Sequence, residues 1–281
     1  MEQGTQKNKI EAVLDKYAIP LSIIIAGIII ASAMSPQGSR ISGILGTNRA
    51  VNASRSAVEE SVLPAKGVTL PVTWGGLGAR LVEAGVIEPA AFKQIYQSRG
   101  SFPAEYEKLL SGRTNGALTI DEGNAGYLLN LLWAFGLANK NPILEDKGEM
   151  MNPAYGGAGN FASTGGWTVA KGNPMNHYNM HALVTLTPEQ QELVDRVSRG
   201  IFRPCCGNST HFPDCNHGMA MLGLLELMAS QGVSEETMYK AALVVNSYWF
   251  PDTYLTMAQF MQNKGIDWKN VSPKEMLGAD Y

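Results

Sequence analysis

With 281 residues, 45% of them hydrophobic and 17% charged, the chain has the material for a buried core and lacks the composition of a disordered tail. A formal net charge of -3 and a pI near 5.9 supply no basic field, which argues against nucleic acid as a partner.

The first distinctive stretch, YAIPLSIIIAGIIIASAM (Tyr17 to Met34), runs without a charge and approaches the length needed to cross a hydrocarbon core of about 30 Å. It predicts a transmembrane anchor at 17–34, preceded by a cytoplasmic head at 1–16. Lys7, Lys9 and Lys16 before it, against Arg40 and Arg49 after it, point the N-terminus to the cytoplasm by the positive-inside bias. The small residues Ala31-Ser32-Ala33 also suit a cleavage site, so an uncleaved signal-anchor competes with a removed signal peptide. Glu11 and Asp15 in the long polar head favour the anchor. Either alternative places the rest of the chain outside the cytoplasm, in a single-pass protein of the cell membrane.

Residues 35–71, rich in Ser, Gly, Ala and Asn, read as a flexible linker, leaving 72–281 as the extracytoplasmic domain. Leu77, Leu81 and Val82 recur at helical spacing before Gly85, and a second helix is expected from Pro89 to Ser98. Asn124 to Lys140 is apolar almost all round, as a central helix must be. Residues 148–178 hold seven glycines with Tyr155, Phe161 and Trp167 among them, and read as an ordered flap. Thr187-Pro188-Glu189-Gln190 combines a capping box with Pro at the first helical position. Further helices are expected over 216–230, after Ser234 and from Pro251. No strand pattern matches these in strength, so the expected fold class is all-α, a bundle of six to eight short helices.

Chemistry concentrates in FRPCCGNSTHFPDCNHGMAM, residues 202 to 221. All three cysteines and all four histidines of the chain fall between His177 and His217. Cys205, Cys206, His211, Cys215 and His217 are the candidate metal ligands, because thiolate and imidazole are the preferred donors for zinc, copper and iron. His177 and His181 stand at i, i+4 upstream. Met221 and Met228 would share a helix face with His217, where core filling is the plainer role for a thioether. Glu226 is the one formal charge in its apolar run, either a buried supporting carboxylate or a solvent-facing one.

The same cysteines suit two other roles. In a thiol-disulfide oxidoreductase, Cys205 or Cys206 would attack a disulfide and Cys215 would resolve it, with a redox protein as partner. In a surface scaffold, a disulfide would merely staple the loop, and the aromatic run Tyr248-Trp249-Phe250 would serve partners. No motif for a hydrolase or transferase stands out.

Pro204-Cys205-Cys206-Gly207, followed by His211 and Asp214-Cys215, resembles the short cysteine signature of the bacterial PCYCGC-motif lipoproteins, which are extracytoplasmic. A helix that runs into a short cysteine loop, LVDRVSRGIFRPCCG, with a helical bundle after it, is also similar to the membrane-tethered thiol subunit of cytochrome c maturation, which implies thiol redox work. The principal expectation is a membrane-anchored extracytoplasmic protein that holds a transition metal.

Overall fold

The computed structural model describes residues 57–98, 100 and 102–280. The head, the anchor at 17–34 and most of the linker lie outside these residues. Among the described residues no helix is long and apolar enough to cross a membrane.

The described region is mostly helical, with ten helices and one small sheet. Along the chain come α1 (57–62), β1 (Val68–Gly75), α2 (Leu77–Glu83), α3 (Pro89–Gln97), α4 (Ala104–Ser111), β2 (Asn115–Ile120) and α5 (Ala125–Ala138). After a long irregular stretch follow α6 (Pro188–Arg199), α7 (Asn216–Ser230), α8 (Glu235–Trp249), α9 (Pro251–Asn263) and α10 (Pro273–Met276).

Two corrections to the sequence reading arise at the N-terminal side. The fold is not all-α, since β1 and β2 pair antiparallel, with Val68 opposite Ile120 and Gly75 opposite Asn115. Residues 57–71 are also not a flexible linker. Val58, Val62 and Leu63 are buried, and β1 alternates so that Leu70, Val72 and Trp74 enter the core. A strand half-buried on one face needs this period of two. The ladder is irregular between Thr69 and Thr73, around Pro71, which has no N–H to give.

The centre of the domain is the pair α5 and α7. Both are buried on nearly every side because other elements surround them. They meet backbone to backbone at Gly136 and Gly223. A Cβ at Gly136 would stand 2.1 Å from the Met219 carbonyl oxygen, and one at Gly223 would stand 2.6 Å from that of Leu132. Gly136 thus does not interrupt the helix but permits its closest contact. At the far end of α7, the Gln231 side chain accepts from the Thr73 N–H at 2.8 Å and donates to its carbonyl at 2.9 Å, tying the helix to β1.

The expected caps are present. Thr187 and Gln190 form the reciprocal capping box of α6, Ser234 caps α8, and Pro251 opens α9. The stretch 148–178 is an ordered flap of short 3-10 turns. Trp167 anchors it at 2% exposure, donating to the Val86 carbonyl at 2.7 Å, while Trp133 donates to that of Ser163 at 2.6 Å. The flap reaches the cysteine segment, where the Ser163 N–H bonds the Asp214 carbonyl at 3.1 Å and Tyr155 and Phe161 pack on Phe212.

Candidate metal centre

The cysteine loop hangs between α6 and α7. An isolated bridge between Phe202 and Ser209 closes a tight turn, the Gly207 N–H bonds the Arg203 carbonyl at 2.8 Å, and Gly207 takes a φ of 70° that suits glycine. This turn lifts Cys205 and Cys206 to the surface, while Cys215, at the N-cap of α7, is half-buried beneath them. Cys205 Sγ stands 3.7 Å from Cys206 Sγ and 3.6 Å from Cys215 Sγ, all three as free thiols.

His217, in the first turn of α7, completes the cluster. One donor atom from each of Cys205, Cys215 and His217 lies within 4.8 Å of the others, and Cys206, Asp214 and Cys215 form an overlapping group. The imidazole packs on Phe250, with ring centres 4.4 Å apart. Burial, helped by the charge of Arg203, lowers its pKa to about 4, so it is neutral and able to donate a lone pair at ordinary pH.

Arg203 organises the loop from inside. Its side chain is 1% exposed, and it donates to the carbonyls of Ser209 at 2.8 Å and Phe212 at 3.0 Å, to Asp214 Oδ1 at 2.5 Å and to Cys206 Sγ at 3.3 Å. Gly218 makes room for it, since a Cβ there would meet Arg203 Nη1 at 2.2 Å. Arg203 stands outside the residues that the sequence nominates. Its signal was a lone arginine directly before Pro204-Cys205-Cys206.

The three thiols differ electrostatically. Although Cys205 is exposed, partial desolvation of its thiol pushes it up to about 12, aided by the neighbouring Cys215 and Cys206. Burial also raises Cys215, against the pull of Arg203. For Cys206 burial is outweighed by the Asn208 N–H and by Arg203, so its pKa falls below the ordinary thiol value.

His211 does not join the thiols. It is 2% exposed and turned toward Glu149 and Asp195, with Nδ1 2.5 Å from Glu149 Oε2 and Nε2 2.9 Å from Asp195 Oδ1. The His211 backbone N–H bonds the Ser198 carbonyl at 3.2 Å and fixes the residue against α6. His177 and His181 form a separate stacked pair, Nδ1 to Nε2 3.1 Å. Met221 and Met228 are fully buried core residues.

Glu226 is the buried alternative of the two considered. At 0% exposure it accepts from Asn139 Nδ2 at 2.7 Å, and burial raises its pKa to about 8 although the Asn139 and Asn141 amides favour the charged form. It stands in the core between α5 and α7.

The chain therefore carries Cys, His, Asp and Glu groups that could hold a metal ion. No protein-family model, curated protein or solved structure matches this chain.

Proposed function

We propose that this protein is a membrane-anchored, extracytoplasmic binder of a transition metal, zinc or copper rather than iron, held by Cys205, Cys206, Cys215 and His217. The observation that carries the reading is the sulfur spacing. Zn–S bonds of about 2.3 Å at tetrahedral angles separate sulfurs by about 3.8 Å, and the thiols stand at 3.6 and 3.7 Å. A neutral imidazole, that of His217, within 4.8 Å of Cys205 and Cys215 supplies a fourth donor. Binding would deprotonate the two raised thiols, so affinity rises with pH.

Cobalt substitution of the reduced protein tests this directly. Thiolate-to-cobalt charge-transfer absorption at about one equivalent is expected, lost when Cys206 and Cys215 both become Ser. Cobalt binding without that absorption, or unchanged metal content in the double variant, refutes the site. The anchor at 17–34 rests on its eighteen uncharged residues. A membrane-impermeant thiol reagent added to intact cells should label Cys206, and exclusion of the reagent would reverse the orientation.

A second reading, thiol-disulfide exchange, is favoured by one observation, the Arg203 guanidinium against an exposed Cys206 thiol. The Cys206 thiolate would attack a substrate disulfide and release one substrate thiolate. Cys215, once deprotonated, would then attack Cys206 Sγ and release the second, leaving a protein disulfide for an external thiol to reduce. A trapped mixed disulfide in Cys215→Ser is its signature, and slow alkylation of Cys206 near neutral pH would remove it.

A further inference from the structure

The residues around His211 form a second cluster, separate from the thiols. Asp146 and Glu149 belong to one turn, closed by the Glu149 N–H on the Asp146 carbonyl at 3.3 Å, and that turn faces α6 across His211. Donor atoms of Asp146, Glu149 and His211 all lie within 4.8 Å of one another. On the opposite side of the imidazole, Nε2 meets Asp195 Oδ1 at 2.9 Å, and Arg199 Nη2 stands 2.7 Å from the same nitrogen while also donating to Asp195 at 3.1 Å.

The charge around this buried ring does not balance. Three carboxylates, from Asp146, Glu149 and Asp195, face one guanidinium and one imidazole, so negative charge is in excess in either protonation state of the ring. Arg196, nearby on α6, is held by Glu235 at 2.9 Å. Asp146, Asp195 and His211 line an open cavity of about 570 Å³.

We propose that Asp146, Glu149 and His211 form a binding site for a divalent first-row cation of the Mn²⁺ or Fe²⁺ class. Nδ1 faces the two carboxylates and becomes the ligand once the proton it shares with Glu149 Oε2 is displaced. Nε2 then carries the ring proton and donates to Asp195, with Arg199 turned from Nε2 onto the Asp195 carboxylate that it already bonds. His211 is locked in place, while Asp146 and Glu149 are partly exposed and can draw in to bonds of about 2.2 Å. Two carboxylates and one imidazole form a harder donor set than the thiols, so the two sites would select different ions. The positions not filled by protein open toward the cavity and would take water or a small ligand.

The test is a Mn²⁺ titration of the reduced full chain, with free Mn²⁺ read by electron paramagnetic resonance. One saturable site is expected, weakened at least tenfold in both Glu149→Gln and Asp146→Asn and unchanged in Cys205→Ser/Cys215→Ser. Mn²⁺ should also broaden the His211 ring resonances before those of His177. Absence of saturable binding, binding unaffected by Asp146→Asn, or binding lost with the cysteines would each overturn the proposal. If Glu149→Gln fails to fold, Asp146→Asn and the broadening order still decide it. Since the thiol site is read by its charge-transfer band, either site can fail without the other.

Discussion

Replacing Glu226 by Gln should change the pH dependence of stability more than stability itself. The carboxyl is fully buried on α7, with one oxygen accepting from Asn139 at 2.7 Å and the Asn141 amide as its other polar neighbour. Burial raises its pKa from 4.5 to about 8. Between these values the folded state keeps a proton that the unfolded state has released, so unfolding free energy falls as pH rises, by about 1.4 kcal/mol per pH unit. The stabilisation is fully present below pH 4.5 and lost through about pH 8. Over the whole window the loss is of order 5 kcal/mol, a large part of a domain's stability. Gln keeps an acceptor for Asn139 but adds an amide that needs partners, at a cost of about 1 kcal/mol. Urea unfolding of both proteins at pH 5, 6, 7 and 8 should therefore give curves that cross. The wild type should be slightly more stable at pH 5 and the variant more stable by several kcal/mol at pH 8. Parallel curves would refute the buried, protonated carboxyl.

Other substitutions read out the loop and the helix pair. Gly218→Ala should displace Arg203 and slow Cys206 alkylation near neutral pH, because the thiol loses a charge that lowers its pKa; unchanged alkylation would mean that Arg203 does not hold the thiolate. Asp214→Asn leaves the buried Arg203 charge without its carboxylate and should cost about 3 kcal/mol in urea unfolding, and a loss below 1 kcal/mol would contradict the ion pair. Gly136→Ala should cost about 3 kcal/mol by forcing α5 away from Met219, whereas a neutral effect would show that the helices are not in backbone contact. In metal-free protein the His217 ring resonances should titrate near pH 4, and a midpoint above 6 would show the ring to be solvated.

Local chemistry made the helical part legible. The Thr187-Gln190 capping box, Ser234, the Pro residues at 188 and 251 and the glycines at 85 and 232 act within a few residues of themselves, so their signals survive in one dimension. The density of cysteine and histidine between 177 and 217 was equally visible, and with it the thiol cluster and His217. What the sequence could not supply is what depends on partners far along the chain. β1 becomes a strand only by pairing with β2 some fifty residues later, which is why its first residues, 68–71, read as linker. Gly136 reads as a weakness until α7 presents Gly223 to it. His211 sits midway between cysteines in the chain, yet Glu149 and Asp195, 62 and 16 residues away, capture its two nitrogens. Spacing can nominate donors, but a ring nitrogen has a direction. Only the packing of the 146–149 turn against α6 determined where His211 points.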